Sequence, residues 1–241
     1  MQWWKIGLLF FSAFSGGMGV FIFKNKTFPL KLILSFSGAY LFAITVLHLV
    51  PEVYESGGTN AGLYILAGFA LQVLMEQFSH GVEHGHVHKH DYRGNAAPIA
   101  MLISLSLHAL LEGVPIADRF SDRLVWGIAL HHIPAAFAMT TAFYIHEWKK
   151  KTLIILLIVF SSMSPLGYLI GVLLKHGDYA QISNYFNVII GIVIGMFLHI
   201  STTILFESSE QHHFNIKKLI AILIGMSIAL FGFFADRAIH H

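Results

Sequence analysis

The chain has 241 residues, of which 56% are hydrophobic and only 12% charged, and 15 Lys+Arg against 13 Asp+Glu leave a formal charge of +2 with histidine neutral. Soluble domains carry about 25% charged residues, so the shortage points to lipid as the solvent, and the near-balanced charge excludes a nucleic-acid-binding surface. Cysteine is absent, which excludes a disulfide framework, a thiolate metal site and thiol catalysis, while histidine is abundant at 16.

A helix needs about 20 apolar residues to cross a hydrocarbon core of about 30 Å. Eight runs reach that length, near residues 3–23, 30–51, 61–79, 96–117, 124–145, 152–174, 186–206 and 217–239. The predicted fold class is therefore an all-α integral membrane protein of eight transmembrane helices, with residues 1–241 as a single transmembrane domain. The first run carries only Lys5 as a leading charge. It ends in Phe23-Lys24-Asn25-Lys26 rather than at a small-residue cleavage site, so it is expected to persist as a span and not as a signal peptide.

Positively charged loops resist translocation, which makes Lys and Arg the guide to orientation. Lys24, Lys26, Lys31, Lys89, Arg93, Lys149, Lys150, Lys151, Lys217 and Lys218 follow spans one, three, five and seven. The opposite side holds Lys5, Arg119, Arg123, Lys175 and Arg237. Both termini are thus expected on the non-cytoplasmic side. The connection between spans three and four, residues 80–95, is then a cytoplasmic loop. It contains His80, His84, His86, His88 and His90, a glycine-interrupted tract suited to low-affinity metal capture or sensing.

Ionisable residues inside spans cost a few kcal/mol each and mark ion paths, pairs or water-lined cavities. In the fourth span His108 and Glu112 lie four apart and share a helical face. Pro115 cannot donate to the carbonyl of Leu111, so an acceptor is released next to Glu112. The fifth span repeats the device in His131-His132-Ile133-Pro134, where the carbonyl of Leu130 loses its donor. Imidazoles with one carboxylate suit Zn²⁺ first, with Fe²⁺, Mn²⁺, Co²⁺ and Ni²⁺ as alternatives. Successive helical residues diverge by about 100°, so His131 and His132 cannot both point straight at one ion without an irregular turn. His132 adds a nitrogen or faces elsewhere.

Weaker polar stripes run along other spans. Thr45, His48 and Glu52 lead to one end of the second span, as an entrance or exit site or as interfacial polar residues. Gln72, Glu76 and His80 form a similar stripe on the third. His199 and Thr203, four apart on the seventh, read as a buried histidine bonded to a hydroxyl. Gly167 with Gly171 and Gly191 with Gly195 have the small-xxx-small spacing of close helix crossings.

Four motifs occur in order: His48-Leu49-Val50-Pro51-Glu52, His108-Ala109-x-x-Glu112-Gly113, His131-His132-Ile133-Pro134-Ala135-Ala136 and Ser164-Pro165-Leu166-Gly167. With eight spans and a His-rich loop between the third and fourth, the chain resembles the ZIP family of divalent-metal transporters. The resemblance implies a ZIP-like bundle, metal movement toward the cytoplasm, and His108, Glu112 and His131 as first-site ligands. Family members with two adjacent metals use Asn, a span-five acid and a span-six acid where this chain has Ala109, Ala135 and Ser164, so one metal site is expected. Zn²⁺ on one carboxylate and neutral imidazoles keeps a charge of +1, which favours reversible binding. Protonation of His108 or His131, ordinarily near pH 6.5, would compete with metal.

The expected function is transport of a divalent cation, Zn²⁺ foremost, by alternating access through a single intramembrane His/Glu site, without enzymatic activity or a resident cofactor. The expected partners are divalent metal ions and the lipid bilayer, with a homodimer open and no nucleic acid. The expected location is the bacterial inner membrane. Three alternatives stay open: a haem-bearing redox subunit using His48, His108 or His131 as axial ligands, an intramembrane zinc hydrolase with Glu112 as base, and a non-transporting metal sensor on the same scaffold.

Overall fold

The structure is a computed structural model that describes residues 2–23, 30–57, 60–79, 96–117, 121–176, 180–206 and 216–239. Eight helical segments among them are long and apolar enough to cross a membrane. Helix α1 (Trp3–Ile22) is the first span. The second joins α2 (Leu30–Ile44), a π-helical turn (Thr45–Leu49) and α3 (Val50–Gly57). Then come α4 (Ala61–Ser79), α5 (Ala96–Gly113) with a 3₁₀ turn (Val114–Ala117), α6 (Ser121–Ile145), α7 (Lys150–His176), α8 (Ala180–Phe206) and α9 (Ile216–Ile239). Among the described residues there is no strand.

Two of the prolines lie where regular helix gives way. Pro51 has no N–H for the carbonyl of Leu47, and the chain just ahead of it widens into the π turn, where the Val50 N–H reaches the carbonyl of Thr45. Pro115 sits in the 3₁₀ turn that ends the fourth span. Pro134 is instead accommodated inside α6, and Pro165 inside α7. Helix α6 stops in a Schellman motif: the N–H of Trp148 bonds the carbonyl of Phe143, and the N–H of Glu147 that of Tyr144. The Phe143 and Trp148 rings meet at 5.1 Å, supplying the apolar contact of that motif. Glu147 takes the left-handed position, φ 58°, where glycine is usual.

Helix α1 lies along α6 and α7, and α5 along α7; α4 lies along α8 and meets α5, and α2 lies along α9, α6 and α8. Glycines make the closest crossings possible. A Cβ on Gly167 would meet the carbonyl of Leu110, and one on Gly171 the carbonyl of Val114, so α7 sits directly on the backbone of the fourth span. Gly68 and Gly195 do the same between α4 and α8, against Ile192 and Ile65. Both small-xxx-small pairs expected from the sequence thus lie at helix crossings.

Polarity runs opposite to that of a soluble protein. Leu63, Leu66, Leu173, Phe206 and Phe231 are exposed, whereas Lys5, Gln72, His108, Glu112, His131 and His132 are buried. So large an apolar exterior has a stable solvent in lipid, and buried ionisable groups then gather inside the bundle.

Candidate metal site

Glu112 is fully buried at the C-terminal end of α5. A carboxylate with no partner there would cost several kcal/mol, and histidines meet both of its oxygens. His108, one turn earlier on α5, places Nε2 2.8 Å from Oε1. His132 on α6 places Nε2 2.9 Å from Oε2. The i,i+4 spacing thus delivers the first contact within one helix, and the second is made across the α5–α6 interface.

His131 completes the cluster. Ligand atoms of His108, Glu112 and His131 all lie within 4.8 Å of one another, and all three residues are buried. Metal–ligand bonds of about 2.0–2.2 Å place atoms around one ion about 3–4 Å apart, so small side-chain movements bring the three onto a single cation. The His108 and His131 rings are 6.2 Å apart, centroid to centroid, and the His131 and His132 rings 6.3 Å. The helical divergence expected for adjacent histidines is therefore present. Pro134 does not cancel it: His131 joins the three-residue group and His132 meets the other side of the carboxylate.

The surroundings fit one ion better than two. Ala109, Ala135 and Ser164 are buried, and no carboxylate stands at any of these positions. Ala109 belongs to an apolar cluster with Met101, Leu105, Ala136 and Met139. Gly113, next to Glu112, has no room for a side chain, because a Cβ would meet the Ser164 carbonyl of α7. Helix α7 therefore contributes close backbone contact to this end of the site.

The other sequence candidates are placed elsewhere. His48 is buried on the π turn and meets Phe233 of α9 edge to face at 5.4 Å. Glu52 is half-buried on α3, one turn further along. Neither belongs to the His108–Glu112–His131 group. Glu76 pairs with His199 of α8, Oε2 to Nε2 at 2.6 Å. The Thr203 hydroxyl, expected to serve the His199 ring, donates to the His199 backbone carbonyl instead. His80, His84, His86, His88 and His90, with the whole of 80–95, lie outside the described residues.

Sequence reasoning missed the partner of His108 on its other face. Gln72 of α4 is fully buried, with Oε1 3.2 Å from His108 Nδ1. Its stripe with Glu76 was visible at i,i+4, but nothing in the sequence says that α4 faces α5 at that height.

Eight spans with a buried His/Glu cluster among them define a polytopic membrane protein with a buried candidate cation site. The chain belongs to the ZIP zinc-transporter family, whose model matches residues 83–232. It is also similar to a Dictyostelium discoideum protein, zntD, being 29% identical over 168 residues, 64% of this chain and 24% of that protein. The chain thus spans about a quarter of that relative's length.

Proposed function

We propose that this protein carries a divalent cation, Zn²⁺ foremost, across the membrane through one site formed by His108, Glu112 and His131. The observation behind the proposal is the convergence of three buried ligand atoms from two adjacent spans, within 4.8 Å of one another. Two imidazole nitrogens with one carboxylate oxygen suit Zn²⁺ and its first-row neighbours and suit Mg²⁺ and Ca²⁺ poorly, since those ions take oxygen ligands. With a single carboxylate the bound ion keeps one net positive charge in an apolar bundle, which favours release as well as capture.

His132 acts on the carboxylate rather than on the ion in this reading. Its Nε2 holds Oε2 and leaves Oε1 toward His108 and the cation. Transport through such a site takes the form of alternating access. The ligands belong to α5 and α6, which pack on α7 and α1 and also meet α4 and α2. Displacement of the ligand-bearing helices against their neighbours would expose the site first to one side and then to the other. Metal would pass toward the cytoplasm, where the 80–95 histidines capture it. The bacterial inner membrane is the proposed location, with both termini on the non-cytoplasmic face.

The test is Zn²⁺ uptake into proteoliposomes with an internal fluorescent indicator, for the intact protein and Glu112→Ala side by side. The expected result is uptake by the intact protein and a rate no higher than that of protein-free vesicles for the variant. Absence of flux in the intact protein for Zn²⁺, Fe²⁺, Mn²⁺, Co²⁺ and Ni²⁺ would leave a binding or sensing scaffold instead of a carrier.

A further inference from the structure

A metal-binding imidazole must offer a lone pair at one ring nitrogen and carry its proton on the other, so whatever meets the second nitrogen decides which end is available. His108 faces Glu112 and the cation space with Nε2. Its Nδ1 meets Oε1 of Gln72 at 3.2 Å. A carboxamide oxygen only accepts, so this contact holds a proton on Nδ1; Nε2 faces the carboxylate oxygen Oε1 of Glu112, and there the ion takes the place of the proton that the ion-free contact requires. Burial strengthens the preference: with Gln72 fully buried and His108 nearly so, water is a poor substitute for either partner.

A second bond fixes the same interface. Ser104, one turn before His108 on α5, donates its hydroxyl to the carbonyl of Met75, close to Gln72 on α4, at 2.8 Å. Ser104 and His108 share one face of α5, and Met75 and Gln72 share one face of α4. Both contacts therefore depend on one register between the two helices. Beyond Gln72 the chain of buried side chains continues through His108 to Glu112 and His132, linking α4, α5 and α6.

We propose that Gln72 is a positioning residue for the metal site, keeping the proton of metal-bound His108 on Nδ1 so that Nε2 is the nitrogen that meets the ion. The inference rests on the metal-site reading above and adds to it a residue that touches no ion. Since Gln72 belongs to α4 and the ligands to α5 and α6, the bond forms only while those helices keep their present register. Full ligand readiness is thereby tied to one arrangement of the bundle.

The experiment compares Gln72→Met, which keeps the length and removes the acceptor, with Gln72→Glu, which keeps an accepting oxygen. Half-saturating Zn²⁺ for uptake is measured in proteoliposomes of the full chain. The ring nitrogens of His108 are followed by ¹⁵N NMR of ¹⁵N-histidine-labelled protein, assigned by difference from His108→Ala. Loss of an outer-shell partner of a ligand typically costs 10–100-fold in affinity, so Gln72→Met is expected to raise half-saturating Zn²⁺ by about that factor. It should also increase the share of His108 carrying its proton on Nε2. Gln72→Glu should restore both values toward those of the intact protein. Unchanged half-saturation and unchanged His108 nitrogens in Gln72→Met would overturn the proposal, as would a Gln72→Glu variant as impaired as Gln72→Met with the His108 nitrogens unmoved. Glu112→Ala and His131→Ala run alongside. If they too leave uptake unchanged, the metal-site reading itself fails; if they abolish it while Gln72→Met does nothing, only the role of Gln72 is lost.

Discussion

Glu112 and Glu76 each lie within 3 Å of a histidine nitrogen, and the two are built differently. Glu112 is fully buried, with a histidine on each oxygen and a third histidine close enough to share an ion. Glu76 is about one-quarter exposed at its side chain and pairs with His199 across α4 and α8. The first arrangement converges nitrogens on a common point. Among the described residues the second is a cross-helix pair whose histidine also meets Phe69 edge to face at 4.9 Å, outside the three-residue group. Which ligand atoms share one volume is set by how helices face each other.

The sharpest way to break this contrast is to neutralise each carboxylate in turn. Glu112→Gln should abolish Zn²⁺ uptake, because the ion loses its one anionic ligand. Glu76→Gln should keep most of the uptake of the intact protein, because Glu76 lies outside the His108–Glu112–His131 group. Equal loss in both variants, read in the same vesicles, would place Glu76 on the transport path alongside Glu112.

Acidification should have a smaller effect that again separates the two. Metal binding requires the ligand imidazoles deprotonated at the coordinating nitrogen, so protons compete with the ion and affinity falls as pH drops. Lowering the pH should raise half-saturating Zn²⁺, by up to about tenfold per pH unit for each ligand histidine that must lose a proton. The same dependence is expected in Glu76→Gln, since His199 lies outside the ligand group. A half-saturation that ignores pH, or one whose pH dependence disappears in Glu76→Gln, would contradict the assignment of His108 and His131.

Much of the fold was legible because lipid makes a simple demand, a long run of apolar residues. The third and fourth spans occupy 61–79 and 96–117 in the sequence reading and in the structure alike. The seventh span, expected at 186–206, lies at Tyr185–Phe206, and its helix reaches back to Ala180 through polar turns that hydropathy does not register. The π turn at Thr45–Leu49 was not legible; Pro51 announces a disturbed helix but not which irregular form relieves it. The fifth span was expected to end at 145 and α6 ends there, although Glu147 and not a glycine takes the left-handed position that follows.

The candidate site divides in the same way. His108 with Glu112 was readable from helical spacing alone. The different directions of His131 and His132 followed from their angular separation, but which of them joins the ligand group depends on the rotation of α6 against α5. Gln72 at His108 and His199 at Glu76 depend on which helices are neighbours, and residue spacing within one helix carries no record of that.

The central claim is that His108, Glu112 and His131 hold one ion while His132 supports the carboxylate. X-ray absorption on the Zn²⁺-loaded protein reads this most directly, with His80, His84, His86, His88 and His90 replaced by Asn so that the loop does not contribute. The expected ligand shell has two imidazole nitrogens and carboxylate oxygen at about 2.0–2.2 Å. One imidazole should vanish in His131→Ala and both should remain in His132→Ala. A shell that keeps both imidazoles in His131→Ala and loses one in His132→Ala would contradict the claim and exchange the roles of the two histidines.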